Sequence, residues 1–531
     1  MRIVGIEGTA WAASAALYDT DTEEVVIESD AYQPESGGIH PREAAEHMGS
    51  AIPDVVSTIL DRAAETSAGE GLDVDAVAFS RGPGLGPCLR VAGTAARSLA
   101  GTLSVPLVGV NHMVAHLEIG RHQSGFDSPV CLNASGANAH LLGYHDGRYR
   151  ILGETMDTGV GNAIDKFTRH LGWSHPGGPK VERRAADGNY YDLPYVVKGM
   201  DFSFSGIMSA AKDAVDDGVP VEDVCAGLQE TIFAMLTEVA ERALSLTGTD
   251  ELVLGGGVGQ NHRLREMLES MCEQRGAAFY APDPRFLRDN AGMIAVLGAK
   301  MYAAGDTLSI PDSSVDPDFR PDEVPVTWRG AEESVVRDPA ATGTIRGAEA
   351  VVTIEDDRVI KRRVPKAYRH PALDERLRAE RTRAEARLTS AARRVGVPTP
   401  VVYDVDPTEG TLVFQYVGDD DLAAALTADR CRDVGRHLAT IHGAGFVHGD
   451  PTTRNARVGD ARTYLIDFGL GYHTGHVEDH AMDLHVFEQS VVGTAADPAP
   501  LLEAFESGYA QVGDETVRER LREVEGRGRY Q

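Results

Sequence analysis

Cysteine is scarce in this chain of 531 residues. Cys88, Cys131, Cys225, Cys272 and Cys431 are odd in number, scattered, and without C-x-x-C spacing. That pattern excludes a disulfide framework and a cysteine-built metal site. No stretch of eighteen apolar residues occurs, so no membrane-spanning helix and no membrane partner are expected. The opening Met1-Arg2-Ile3-Val4-Gly5-Ile6-Glu7-Gly8 turns acidic too soon for a signal peptide and reads as a strand, which places the chain in the cytoplasm. Basic residues are also short: 51 Lys and Arg face 81 Asp and Glu, a net charge of −30. Such a field repels an acidic partner in dilute salt. Either nucleic acid is not a partner, or the protein works in a salt-adapted cytoplasm, where at about 1 M the Debye length is about 3 Å and only local charge matters. The second reading is preferred, because one segment described below reverses the overall charge. With 42% hydrophobic and 25% charged residues the chain is globular, and its length predicts two to four domains.

The first module spans residues 1–328. Strands are predicted at Arg2–Ile6, Ala12–Tyr18, Val25–Ser29 and Val77–Ser80, with a second glycine-turned hairpin over Cys131–Tyr144. Helices are predicted over Arg42–Thr66, Leu89–Gly101, Val221–Ser245 and His262–Arg275. Alternating strands and helices with two similar hairpins imply an α/β protein with a duplicated core. From Pro311 to about Thr344 prolines punctuate an acidic stretch that reads as a linker, drawn at 329–341. Two short strands, Ala350–Ile354 and Arg358–Lys361, and an Arg-rich helix to Arg394 open a second module, 342–531.

Three features of the first module carry chemistry. Asn111-His112-Met113-Val114-Ala115-His116 follows an apolar strand, and on a helix His112 and His116 share one face, within reach of one metal ion. The spacing alone leaves a structural pair equally open, and a third ligand is needed, for which Asp289 is the acidic candidate. No Glu follows His112, so this is not a zinc-protease helix. Glycine-rich turns at Glu7-Gly8-Thr9, Ser135–Asn138 and Gly255–Asn261 let backbone N–H groups approach phosphate, and three of them suggest a nucleotide between two lobes. Asp165 and Glu182 are either contacts to ribose hydroxyls or a ligand amine, or ordinary solvated acids; spacing does not decide.

The second module carries His448-Gly449-Asp450, Asn455, and Asp467-Phe468-Gly469. In that order they read as a phosphoryl-transfer site, with Asp450 as base and Asn455 and Asp467 holding Mg²⁺ beside ATP. Lys361 at a strand end suits the nucleotide phosphates, with Glu385 its first and Glu380 its second ionic partner. There is no G-x-G-x-x-G, only Gly343 and Gly347 ahead of Ala350. Gly449 stands where an Arg would clasp an activation-loop phosphate, and no Ala-Pro-Glu follows. Between Ile360 and Arg394 twelve basic residues face four acidic ones, either a phosphate-contacting surface or a solvated helix.

Gly37–Ala45, Gly82–Leu89, Asn111–His116, Ser135–Asn138 and Gly255–Asn261 together resemble the universal tRNA threonylcarbamoyladenosine-synthesis family, formerly called O-sialoglycoprotein endopeptidase. The resemblance covers nearly all of the first module. It implies the actin/Hsp70/sugar-kinase (ASKHA) fold and transfer of a threonylcarbamoyl group from threonylcarbamoyl-AMP to the adenosine N6 amine 3′ of the anticodon. It also implies one Fe²⁺ or Zn²⁺ held by His112, His116 and Asp289, and adenylate contacts from Asn133, Ala134, Ser135, Gly136, Ala137, Asp165, Gly178, Glu182 and Asn261. Archaeal relatives commonly carry a metal-touching Tyr where this chain has Asn133, which the resemblance makes the fourth candidate metal ligand through an amide oxygen that lacks a phenolate's charge. Tyr368–Pro371, Leu373-Asp374, Arg381–Arg387 and Arg527–Tyr530 resemble the small atypical kinase of the KEOPS tRNA-modification complex. That implies a kinase or ATPase with ATP and Mg²⁺ at Gly343, Gly347, Ala350, Lys361, Glu385, Asn455 and Asp467, with tRNA and other small KEOPS subunits as partners. Fusion in this order suits a halophilic archaeon. The expected fold is α/β, a duplicated ASKHA domain followed by a small two-lobed kinase-like domain. A metallopeptidase and a regulatory kinase scaffold are the alternatives.

Overall fold

The computed structural model describes residues 1–32, 40–66, 72–136, 138–145, 147–330, 344–355, 357–459 and 462–525. Gly37–Ile39, Ala137, Gly343, all but the first two residues of the expected linker, and the terminal Arg527–Tyr530 motif lie outside them. The chain divides into two compact units, Met1–Val196 with Phe202–Asp338, and Pro339–Arg529 with Val197–Asp201.

In the first unit, Arg2–Glu7 (β1), Ala12–Asp19 (β2) and Glu24–Ala31 (β3) form a meander, followed by Pro41–Glu65 (α1), Ala76–Gly82 (β4), Gly86–Leu103 (α2), Leu107–Asn111 (β5) and His112–Ser124 (α3). The five strands make one sheet in the order β3-β2-β1-β4-β5, antiparallel through the meander and parallel beyond β1. Val130–Ala134 (β6), Ala139–His145 (β7) and Arg148–Glu154 (β8) form a second meander. After it come Val160–His170 (α4), Gly178–Ala185 (α5), the short strands Val197–Lys198 (β9) and Asp201–Phe202 (β10), of which residues 197–201 group with the second unit, and then Ser205–Asp216 (α6) and Val221–Thr247 (α7). Glu251–Gly255 (β11), His262–Arg275 (α8), Ala278–Tyr280 (β12), Pro284–Leu287 (α9) and Ala291–Ala303 (α10) complete the series. The second sheet, β12-β11-β6-β7-β8, repeats the first: β6-β7-β8 matches β1-β2-β3, and β11 and β12 match β4 and β5. The duplicated core expected from the two hairpins is therefore present as two sheets of identical order.

β1 is buried along all six residues and β6 along all five, because a central strand of a covered sheet meets apolar packing on both faces. α3 and α10 are packed in the same apolar cluster, to which one contributes Val114 and Leu117 and the other Ile294 and Leu297, among residues of both sheets. The stretch from Pro311 differs from the linker reading as far as Gly330. Its prolines fix short turns at Ile310–Asp312 and Pro321–Glu323, Ser313 and Val324 are buried, and Trp328 packs on the central cluster. Arg329 stacks on the Tyr144 ring at 3.9 Å and reaches the buried Glu118 at 3.4 Å.

The second unit opens with Thr344–Arg346 (β13), Ala350–Glu355 (β14), Arg358–Arg363 (β15), Pro371–Arg394 (α11), Val402–Asp406 (β16) and Thr411–Gln415 (β17). Its strands form an antiparallel sheet in the order β13-β14-β15-β17-β16. A mostly helical part follows: Asp420–Asp421 (β18), Ala428–Gly443 (α12), Phe446–Val447 (β19), Ala456–Val458 (β20), Thr463–Leu465 (β21), Tyr472–His473 (β22), Val477–Thr494 (α13), Ala499–Ala510 (α14) and Glu515–Glu525 (α15).

Candidate metal and nucleotide sites

α3 starts at His112 because the Asn111 side chain caps it, accepting from Met113 N at 3.0 Å and Val114 N at 3.1 Å. One turn then separates His112 from His116, whose rings stand edge-on at 4.9 Å. Asp289 precedes α10, which Asn290 caps through Met293 N. Its Oδ1 lies 3.4 Å from Nε2 of both histidines. One donor atom from each of the three residues falls within 4.8 Å of the others. These donors fit a divalent cation: two imidazole nitrogens and a carboxylate in a buried pocket, with neither His116 ring nitrogen hydrogen-bonded. Behind them Glu7, fully buried, meets His112 Nδ1 at 3.1 Å through Oε2 and accepts from Thr9 N at 2.7 Å through Oε1. Burial opposes a charged His112, yet the Glu7 and Asp289 carboxylates push it up to about 10, so the pocket carries an excess of negative charge. Burial lowers His116.

Asn133 is paired across the β6–β7 register with His140. Its Nδ2 lies 3.5 Å from His140 Nε2, and its buried Oδ1 has no hydrogen-bond partner. Burial, then the nearby His116 and His112, hold His140 down at about 3, a neutral ring. Ala134 ends β6, and its carbonyl lies 2.3 Å from where a Cβ on Gly256 would stand; with φ of +84° there, only glycine fits this turn. Ser135 closes the next turn on itself through Asn138, and Gly136 O accepts from Asn162 N at the start of α4.

The remaining expected contacts gather where α4, α5, α7 and α8 meet. Gly178 and Asn261 line a small pocket with Ile164, Val181, Leu228, Gln229, Ile232 and Phe233. Asp165, next to Ile164, holds Gly177 N at 2.7 Å and His175 Nδ1 at 3.0 Å. Glu182, next to Val181, holds His262 N at 2.8 Å. Asn261 caps α8 through Oδ1 and donates from Nδ2 to Gln229 Oε1 at 3.2 Å. The two acids are thus both fixed by local bonds and carried on the segments that line this pocket.

In the second unit Lys361 Nζ sits 2.9 Å from Glu385 Oε1 and 2.7 Å from Asp467 Oδ1. Glu380 instead faces Arg376 at 3.5 Å, so of the two expected partners Glu385 is the one in contact. Asn455 Nδ2 donates to Asp450 O at 2.8 Å and Oδ2 at 3.1 Å. Desolvation would raise the Asp467 carboxyl, but Lys361 and then Arg363 hold it at about 2. Gly347 N donates to Ala350 O, closing the turn between β13 and β14. Gly449 has φ of +83°, and a Cβ there would stand 2.3 Å from Leu470 O, so no arginine fits. The basic stretch is partly committed inside the fold: Lys361 and Arg363 hold Glu385, Arg378 and Arg369 hold Asp374, and Arg381 holds Glu349. Arg362, Arg383, Arg387, Arg393 and Arg394 remain exposed.

The sequence profile of the tRNA N6-adenosine threonylcarbamoyltransferase family matches residues 22–296. A probable bifunctional tRNA threonylcarbamoyladenosine biosynthesis protein of Haloquadratum walsbyi is 75% identical over 532 residues, all of both chains. The chain belongs to this family. Another protein so described, from Methanospirillum hungatei, is 52% identical over 99% of each chain. Among solved structures, full-length HypF in the phosphate- and nucleotide-bound form aligns with 56% of this chain and 55% of its own, at 13% identity and a TM-score of 0.41. The transferase family is metal-dependent and its substrate is tRNA. No helix among the described residues is long and apolar enough to cross a membrane.

Sequence reasoning about this transferase missed three side chains. Glu7 was read only as part of a glycine turn, and His140 not at all, since a buried residue one strand away leaves no spacing signal. Asp483 was missed for the same reason; its two oxygens accept from His448 N and Gly449 N at 2.6 and 2.8 Å, holding the Asp450 loop from α13.

Proposed function

We propose that the first unit transfers the threonylcarbamoyl group of threonylcarbamoyl-AMP to the N6 amine of the adenosine 3′ of the anticodon, with one Fe²⁺ or Zn²⁺ held by His112, His116 and Asp289. The observation that carries this reading is the meeting of those three side chains from two core elements on one cation-sized space. The bound ion would supply positive charge against the oxygens of the mixed anhydride. The chain's own residues do the rest. Glu7 fixes the His112 ring by accepting a hydrogen bond from its Nδ1–H, which leaves the Nε2 lone pair for the cation. Asn133 offers a neutral amide oxygen on the strand beside His116. The Ser135-Gly136 turn and the Gly255–Asn261 loop bring backbone amides toward the phosphate, and Gly178 and Asn261, which line one small pocket, contact the adenosine. The tRNA amine attacks the carbamoyl carbon, the bond to the AMP oxygen breaks, and the amine loses a proton, so no protein nucleophile is needed.

The peptidase alternative is disfavoured by the donors themselves. Met113 occupies the place of a base after the first histidine, and both oxygens of the nearby Glu7 are already engaged. For the second unit we infer an atypical kinase or ATPase that binds Mg²⁺–ATP through Lys361, Asn455 and Asp467, with Asp450 as base, and acts with tRNA and small KEOPS-type subunits.

Purified protein given tRNA and threonylcarbamoyl-AMP without ATP is expected to form modified adenosine. The His112→Ala/His116→Ala double variant is expected to bind no metal and form none. Unchanged turnover in that variant would overturn the metal reading, and cleavage of peptide in place of tRNA modification would overturn the transferase reading.

A further inference from the structure

Lys361 and Arg363 lie two residues apart on β15 and so face the same side of the sheet. Both end on the same carboxylate: Lys361 at Glu385 Oε1, and Arg363 Nη2 at Oε2, 2.5 Å away. Arg363 is almost wholly buried and does more than duplicate the lysine. Its Nη1 donates to Thr382 Oγ1 at 3.3 Å, one turn before Glu385, so the guanidinium holds α11 at two rungs. Its Nε stands 3.9 Å from Glu349, which lies in the turn between β13 and β14 and is also held by Arg381. On its other side it packs directly against Gly469; a Cβ there would stand 2.4 Å from Nη2. One side chain thus joins the turn over the sheet, the helix bearing Glu385, and the Asp467-Phe468-Gly469 segment.

We propose that Arg363 is the positioning residue that keeps the phosphoryl-transfer site of the second unit assembled without a phosphorylated activation segment, an inference that rests on the kinase-type reading above. Lys361 and Arg363 divide the work between them. In a site of this kind the Lys361–Glu385 pair stays in place when nucleotide binds, but Lys361 is then shared with the phosphates and Asp467 with Mg²⁺. Arg363 has no phosphate to reach, and its planar fork spans two acceptors that a single ammonium does not. The arginine that would read an activation phosphate is replaced by Gly449, where no side chain fits. The site therefore needs an internal tie, and Arg363 supplies it.

The test uses the full chain. ATP turnover is measured for the wild type, Arg363→Gln and Arg363→Lys, with equilibrium binding of Mg²⁺–ATP, and with threonylcarbamoyl transfer from supplied threonylcarbamoyl-AMP as a check on the other unit. Arg363→Gln is expected to lower kcat by roughly tenfold or more while KM for ATP moves by less than about threefold, since the lost contacts align the reacting groups. Arg363→Lys is expected to fall between, and phosphatase-treated wild type to keep its turnover. Wild-type kcat in Arg363→Gln, or loss of turnover after phosphatase, would overturn the proposal. If Arg363→Gln melts at lower temperature, Arg363→Lys decides, and full kcat in it overturns the proposal equally. A wild type that neither binds nor hydrolyses ATP overturns the kinase reading itself, a distinct result.

Discussion

His112 and His116 do different work although they sit one turn apart. Asp289 Oδ1 lies 3.4 Å from Nε2 of each, but only His112 has a second carboxylate, Glu7, behind it at Nδ1, whereas His116 Nδ1 has no hydrogen-bond partner. Removing the rear carboxylate weakens the first histidine as a ligand without touching the donor set. Glu7→Gln is therefore expected to lower metal affinity by roughly 10- to 100-fold, read by competition with a chelator. An unchanged affinity would mean that Glu7 serves only the Thr9 turn. Glu118 is the second residue whose environment is decisive. Burial alone would raise its carboxyl, but Lys300, Arg121 and Arg329 hold it at about 2 against an ordinary 4.5. A lowered pKa contributes stability above the unfolded value that is lost as pH falls through the folded one. The advantage of the wild type over Glu118→Gln in denaturant unfolding is thus expected to shrink by roughly 3 kcal/mol as pH drops from about 4.5 to about 2. A pH-independent difference would show the network to be uncoupled from folding.

Among the elements, α11 shows how charge counting misleads. Twelve basic residues from Lys361 to Arg394, on β15, the loop after it and α11, suggest either a phosphate-contacting surface or a solvated helix, yet several are turned inward onto Glu385, Asp374 and Glu349. Arg376 faces Glu380 and is a poor probe of nucleic acid. Arg383 and Arg387, one turn apart and exposed, are the better pair. Reversing both to Glu is expected to weaken tRNA binding and reduce the slope of log affinity against log salt by up to about two. An unaltered slope would assign α11 to the interior of its unit alone. The repeated sheet order contains two meanders, and these are the part of it that the sequence displays. A meander leaves alternating and glycine-turned signals, but the joining of β1 to β4 and of β6 to β11 crosses many residues and leaves none.

At the scale of the whole molecule the net charge of −30 dominates. Like charges spread over a folded surface repel one another until salt screens them. The unfolding temperature is expected to rise as KCl goes from about 0.1 M to about 1 M, where the Debye length falls from about 10 Å to about 3 Å. A flat response would show that the acidic surface carries no net repulsion. The same screening would lower the cost for a strongly acidic protein to approach tRNA.

Local order was legible from the residues alone. Asn111 before His112 and Asn290 before Ala291 are caps, so where α3 and α10 begin follows from side chains that bond their own backbone. The i, i+4 histidines and the Asp450, Asn455, Asp467 register are likewise properties of nearby sequence. What tertiary structure alone decided was convergence. Asp289 meets histidines some 170 positions earlier, Asn133 finds His140 across a strand pair, and Arg363 gathers Glu349, Thr382 and Glu385. Short-range hydrogen bonds write themselves into spacing, whereas contacts made by packing two sheets and their helices depend on burial and on the whole fold, which no single stretch of residues encodes.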